Sequence, residues 1–300
     1  MKIREDINVQ PERLSTGFSS ALRICRRILE SGDACDEVDL SCTRFATPTF
    51  VLPLLVFVNG LDKLGKRAYF SNAGCYLQNI RLDSGGIDSG NMRETQFTAY
   101  IEGYSKKTYI PIIKFPSQAM RTSDMGRILS AIETILIKQT GWKSNVVSGI
   151  KYMLSEMTDN ITEHSKSEYG YIVAQCYPTR QYADICIADT GITVLGSYKE
   201  QGRDDIQTDI EALESANKGI STKNLPAAEN RGYGIITSRE MLVRGLGGQY
   251  MMISGKAAYA DTTKGRGYIE IPGDIRFAGT IIALRLPYSK DSFRLNDYLE

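Results

Sequence analysis

The chain of 300 residues exceeds what one small domain needs and suffices for two of ordinary size, each with its own core. Apolar residues make up 42% and charged residues 24%, with no low-complexity tract, so the sequence reads as folded throughout. With 36 Lys and Arg against 35 Asp and Glu, the charge balance speaks against bulk binding to nucleic acid or an anionic membrane, and any phosphate site has to be local.

The opening MKIREDINVQPERL carries charges where a signal peptide would carry its apolar run, so a reduced cytoplasm is the expected compartment. FVLPLLVFV, the longest apolar run, is interrupted by Pro53 and falls short of the roughly 18 residues a membrane span requires; it reads as a buried helix. Cys25, Cys35, Cys42, Cys75, Cys176 and Cys186 form no C-x-x-C pair, and the single histidine lies far from most of them, so structural thiols are expected in place of a zinc site.

In chain order, STGFSSALRICRRILESG predicts a helix, EVDLS a strand, the segment after Thr49 an apolar helix, and RAYFSN a second strand. This alternation implies strand-helix-strand units in an α/β layer. RLDSGGIDSGNMRE then reads as a loop or frayed crossover, and YIPIIKFP closes the region, placing a domain division near Pro116: residues 1–115 and 116–300. Beyond it, MGRILSAIETILIKQT and NVVSGIKYMLSEMTDNITEHSK are helical, and YGYIVAQCY with YADICIADTG forms an antiparallel hairpin. A weak helix, DDIQTDIEALESANKG, and the loop STKNLPAAENRGYG occupy a stretch of lid or binding-loop character. The helix IITSREMLVRGLGG and the strands QYMMIS, GYIEI and GTIIALRLP complete a helix-on-sheet sandwich.

Three local patterns carry chemistry. On the second helix, Val146, Ile150, Met153, Leu154, Met157 and Ile161 fall in one arc of roughly 100°, while Glu156, Asn160 and His164, four residues apart, occupy the neighbouring arc at the rim of the core. Asp189 ends a β-branched strand directly before Thr190 and Gly191, where a carboxylate projects past the sheet edge into a pocket; an ordinary Asp-Gly turn and an aspartic-protease D-T-G, which would need a homodimer, share that signature. Gly232 and Gly234 precede a helix, a setting that lets backbone approach a phosphate, with Arg231 and Lys223 as countercharges.

In this order, E-x-x-x-N-x-x-x-H, D-x-G and G-x-G resemble the GHKL ATPase superfamily (gyrase, histidine kinases and relatives), and EMTDNITEH is most similar to the N-box of anti-sigma-factor serine kinases. The resemblance covers about residues 120–288. It implies a Bergerat-type α/β sandwich, helices on a mixed, largely antiparallel sheet, that binds ATP and Mg²⁺. Asn160 would ligate the metal, Asp189 would accept a hydrogen bond from the adenine amino group, and Gly191 would allow close approach to the base. Glu156 would be the catalytic base, His164 would sit at the nucleotide rim, Gly232 and Gly234 would cradle phosphates, and Thr222 and Lys223 would close over the nucleotide. The family pattern has a second glycine where this chain has Thr193, which puts the local loop path in question.

Residues 1–115 resemble a STAS domain, through VDLSCTRFATPTFVLPLLVFVNGLDKLGKRAYFSN. STAS domains are the usual antagonists and phosphorylation substrates of anti-sigma kinases, which implies a regulatory protein partner and puts Thr47 or Thr49, beside Pro48, near the position of the acceptor. The functional expectation is a GHKL-type ATPase or protein serine/threonine kinase with a signalling role. The alternative is a non-catalytic, ATP-dependent binding switch acting on a partner.

Overall fold

The computed structural model describes residues 1–9, 12–117, 122–220, 234–288 and 293–298. It is a mixed α/β protein built on a large, mostly antiparallel sheet. From the N-terminus, β1 (Lys2–Arg4) and β2 (Ile7–Asn8) precede α1 (Leu14–Glu30); β3 (Cys35–Asp39) and β4 (Thr43–Phe45) lead to α2 (Pro48–Gly60), and β5 (Arg67–Ser71) follows. Then come α3 (Cys75–Asn79), β6 (Ile87–Asp88), α4 (Glu94–Glu102) and β7 (Tyr109–Pro116). The next segment runs α5 (Thr122–Thr140), α6 (Ser144–His164), β8 (Tyr169–Tyr177), β9 (Tyr182–Asp189), α7 (Val194–Glu200) and α8 (Asp209–Asn217). It closes with α9 (Gly234–Glu240), which runs on into a π-helical turn at Met241–Gly245, and with β10 (Gln249–Gly255), β11 (Ala257–Thr262), β12 (Gly265–Glu270) and β13 (Phe277–Pro287).

Among the described residues the large sheet has eight strands in the order β12-β11-β10-β13-β9-β8-β7-β6, every pair antiparallel except β6 with β7. A separate parallel sheet, β1-β3-β5, is the expected strand-helix-strand layer. The division expected near Pro116 falls at the end of β7, a strand that pairs with β8 in the register Lys114 to Tyr171, so sheet pairing runs across it.

Side-chain alternation sends the two faces of the large sheet into different packing. Ile172, Ala174, Ile185 and Ile187 join α5 and α6 in one core; Tyr171, Val173, Cys186 and Ala188 join α1 and α2 in another. α1 buries Leu14, Phe18, Ala21, Cys25 and Ile28, a helical stripe that packs on α2, whose residues from Pro48 to Phe57 are all buried. The crossing is close: a Cβ on Gly17 would lie 2.1 Å from Thr47 Oγ1 and 2.4 Å from Thr49 Oγ1. Among the described residues no helix is long and apolar enough to cross a membrane. All six thiols are unbridged; Cys25, Cys176 and Cys186 are buried, whereas Cys35 and Cys75 are exposed.

The strands β1, β2, β4 and β11 and the helices α3, α4 and α7 are additions to the elements expected from sequence. The segment expected as a loop, RLDSGGIDSGNMRE, contains β6 and begins α4, and the expected closing hairpin is a three-strand meander, β10-β11-β12, with β13 returning to pair β10 with β9.

Candidate functional site

The six apolar residues expected to form the core stripe of α6 are buried, and Glu156, Asn160 and His164 are half-buried beside them. All three of these polar residues line a cavity of about 280 Å³ between α6 and the sheet. Asp189 and Thr280 form its polar floor, and Ile187, Ile192, Met252 and Ile282 supply apolar wall. The cavity combines one deep carboxylate, an apolar lining and a polar rim, the composition of a site for a small amphipathic ligand.

Asp189 is 2% exposed at the end of β9, and both of its oxygens accept backbone hydrogen bonds: Oδ1 from Gly191 N at 2.8 Å and Oδ2 from Thr280 N at 3.1 Å. Burial pushes its carboxyl up to about 7, against the two amides and the Lys63 cation, which act in the other direction. Near neutral pH the group is therefore poised between a hydrogen-bond donor and a full anionic acceptor. Thr280 enters from β13 because Gly279, at φ +65°, lets the backbone pass the carboxylate; a Cβ there would sit 2.2 Å from Asp189 Oδ1.

Gly191 is required for a reason other than access for a ligand. A Cβ on it would lie 1.8 Å from Ser165 O, and the neighbouring Ile192 N donates to the same carbonyl at 2.7 Å, so the turn is pressed against the C-terminal end of α6; Gly191 is not among the residues that line the cavity. Thr193 resolves the loop path: its side chain accepts from Gly196 N at 3.1 Å and caps α7, with an extended backbone that needs no glycine. Gly234 begins α9 directly against Glu156, and a Cβ there would be 1.9 Å from Glu156 Oε2, so this glycine sets the distance between the carboxylate and the first turn of α9.

His164 Nε2 lies 3.7 Å from Glu163 Oε2 at the cavity mouth. Asn160 lines the cavity and has no protein hydrogen-bond partner among the described residues. No group of three or more His, Cys, Asp or Glu able to hold a metal occurs among the described residues. Thr222, Lys223, Arg231 and Gly232 lie outside the described residues.

Sequence reasoning missed three contributors to the site. Thr280 and Gly279 belong to β13, which pairs with β9 and from which Thr280 N reaches the Asp189 carboxylate across 91 positions of sequence. Lys63, from the turn after α2, donates to Thr190 O at 3.2 Å and so brings residues 1–115 to the edge of the site. The G-T step before the alternating run of β13 was the only local sign of the first two. Thr47 and Thr49 are 2% and 1% exposed and their hydroxyls meet at 3.0 Å, so the structure does not present either as a surface phosphoacceptor. Comparison with protein-family models, with curated proteins and with solved structures finds no match to the chain.

Proposed function

We propose that the chain binds Mg²⁺-ATP in the cavity between α6 and the sheet, as a GHKL-type protein with a Bergerat-like sandwich and a STAS-like layer in residues 1–115. The observation that carries this reading is the convergence on one cavity of Glu156, Asn160 and His164 from α6, Asp189 from the end of β9 and Gly234 from the start of α9, three elements spread over 79 positions. The order of the central strands, β10-β13-β9-β8, with α6 and α9 on the same side, supports it further.

Each group fits the ligand chemically. Asp189 at the floor accepts the exocyclic amino group of adenine when ionised, and Ile187, Met252 and Ile282 lie beside the base. Asn160 offers a hard oxygen, which suits Mg²⁺ because that ion prefers oxygen donors and keeps water and phosphate oxygens as its remaining ligands. When bound, the ion neutralises and orients the phosphates. Glu156, held against the first turn of α9, would accept a proton from water or an acceptor hydroxyl, which makes the protein an ATPase or serine/threonine kinase. The contact from Lys63 to Thr190 favours a second reading, a switch in which nucleotide occupancy is transmitted to residues 1–115 and to a protein partner.

Thermal denaturation with and without Mg²⁺-ATP tests the binding step: stabilisation that depends on Asp189 and Asn160 supports it, and its absence in the wild type sinks both readings. Release or transfer of labelled γ-phosphate that is lost in Glu156→Ala selects the enzyme. Tight binding without turnover selects the switch.

A further inference from the structure

Among the described residues the large sheet ends on one side in β12, Gly265–Glu270, which pairs with β11 alone. Unlike β6, the two-residue strand at the opposite edge, β12 is six residues long and every residue but Tyr268 is exposed. Ile269 is 62% exposed, the most exposed large apolar side chain among the described residues. An edge of this length, with backbone groups open to another strand and no proline in it, is a template for pairing.

The sequence of the edge, GRGYIE, complements itself. Antiparallel pairing of two copies about Tyr268 sets Arg266 opposite Glu270 of the second copy, Gly267 opposite Ile269, and Tyr268 opposite Tyr268, and the two-fold axis repeats each pair. The faces agree with this register. Tyr268 packs inward against Tyr259, with ring centroids 4.5 Å apart, so alternation puts Arg266 and Glu270 on its face and Gly267 with Ile269 on the other. On the first face two opposite-charge cross-strand pairs form. On the second, the exposed Ile269 covers Gly267 of the second copy, where a Cβ would meet nothing within 4 Å. Centring the pairing on Gly267 keeps one kind of opposite-charge pair, Lys264 with Glu270, and centring it on Ile269 sets that residue opposite itself. Only the alignment about Tyr268 pairs both Arg266 and Glu270 with opposite charge, and centring on Arg266 or Glu270 opposes like charges.

We propose that β12 is a homodimerisation edge through which two copies join their sheets into one continuous antiparallel sheet, with Arg266 and Glu270 fixing the register and Ile269 the apolar contact. The occupant is a second copy of this chain, because the charges of the strand match its own reversed sequence. The interface belongs at the small end, below about 1,200 Å² in total, so the dimer is concentration-dependent. This proposal is independent of what the cavity binds.

Sedimentation equilibrium over a concentration series tests it, with thermal melting as the check that each variant is folded. The wild type is expected to dimerise. Arg266→Glu alone and Glu270→Arg alone are each expected to weaken the dimer by about tenfold or more, since every cross-strand pair becomes repulsive. An equimolar mixture of the two variants is expected to recover it, because unlike copies then place opposite charges across the axis. Ile269→Lys removes the apolar contact and is expected to weaken it as well. A wild type that stays monomeric across the series overturns the proposal, and so does a dimer indifferent to all three substitutions. Failure of the mixture to recover dimer overturns the register.

Discussion

The two faces of the large sheet are made by the same strands yet packed in opposite ways. On one, α2 is buried from Pro48 to Phe57 and α1 crosses it so tightly that Gly17 touches Thr47 and Thr49. On the other, α6 turns a half-buried polar row toward the sheet and leaves a cavity of about 280 Å³ above a buried carboxylate. The dry face supplies stability and fixes the strands. The incompletely filled face keeps a charge poised near neutral pH and oxygen groups aimed inward, at a cost in folding stability that the dry face offsets. Chemistry sits where packing is withheld.

That contrast can be broken from either side, and the largest expected effect concerns Asp189. Its carboxyl is pushed up to about 7 in the folded protein, so between the ordinary carboxylate range and neutrality the native state binds more protons than the unfolded chain, and stability falls as pH rises through that window. The contribution is on the order of 4 kcal/mol across the window. Urea titrations at pH 4.5, 6 and 8 should show this loss in the wild type and a flattened profile in Asp189→Asn; identical profiles would show that the carboxylate is not desolvated.

On the dry face, Gly17→Val forces a side chain into the α1–α2 crossing and is expected to destabilise by about 3 kcal/mol. The folded fraction should bind nucleotide as before. Gly234→Ala has the opposite signature: alanine favours a helix start by up to about 1 kcal/mol, so melting should barely change, yet the displaced Glu156 should lower turnover or nucleotide affinity by about tenfold. If Gly234→Ala behaves like Gly17→Val, the cavity wall is as rigid as the opposite face. The smallest effect is expected for Lys63→Met. Removing this exposed cation lets the Asp189 carboxyl rise further, so the pH at which nucleotide affinity reaches half its limit should move up by a few tenths, as nuclear magnetic resonance titration of the carboxyl can read.

The sequence made parts of this comparison legible. The α6 ladder could be read because a helix imposes its period on neighbouring side chains, and Val146 through Ile161 fall inward as that period requires. The position of Asp189 was legible as a strand end. What holds Asp189 was not, since Thr280 N donates to it across 91 positions, brought there by the pairing of β13 with β9. β11 escaped notice because Ala257, Ala258 and Ala260 give little alternation of side-chain character, and α7 because seven residues are too few to show a helical period. The pairing of β7 with β8 across Pro116 likewise has no local signal. Thr193, out of place against the glycine pattern of the resemblance, proved to be a helix cap, a role that its residue type fits and that only the presence of α7 explains.

The central claim is that the Asp189 cavity is an adenine-nucleotide site. Isothermal titration of Mg²⁺-ATP into the wild type and into Asp189→Asn, at pH 6 and pH 8, tests it most directly. The account predicts saturable binding to the wild type that tightens as pH rises through about 7, because the ionised carboxylate is the better acceptor for the adenine amino group, and weak, pH-insensitive binding to Asp189→Asn. Binding of equal strength to both proteins, or none to the wild type at either pH, would contradict it.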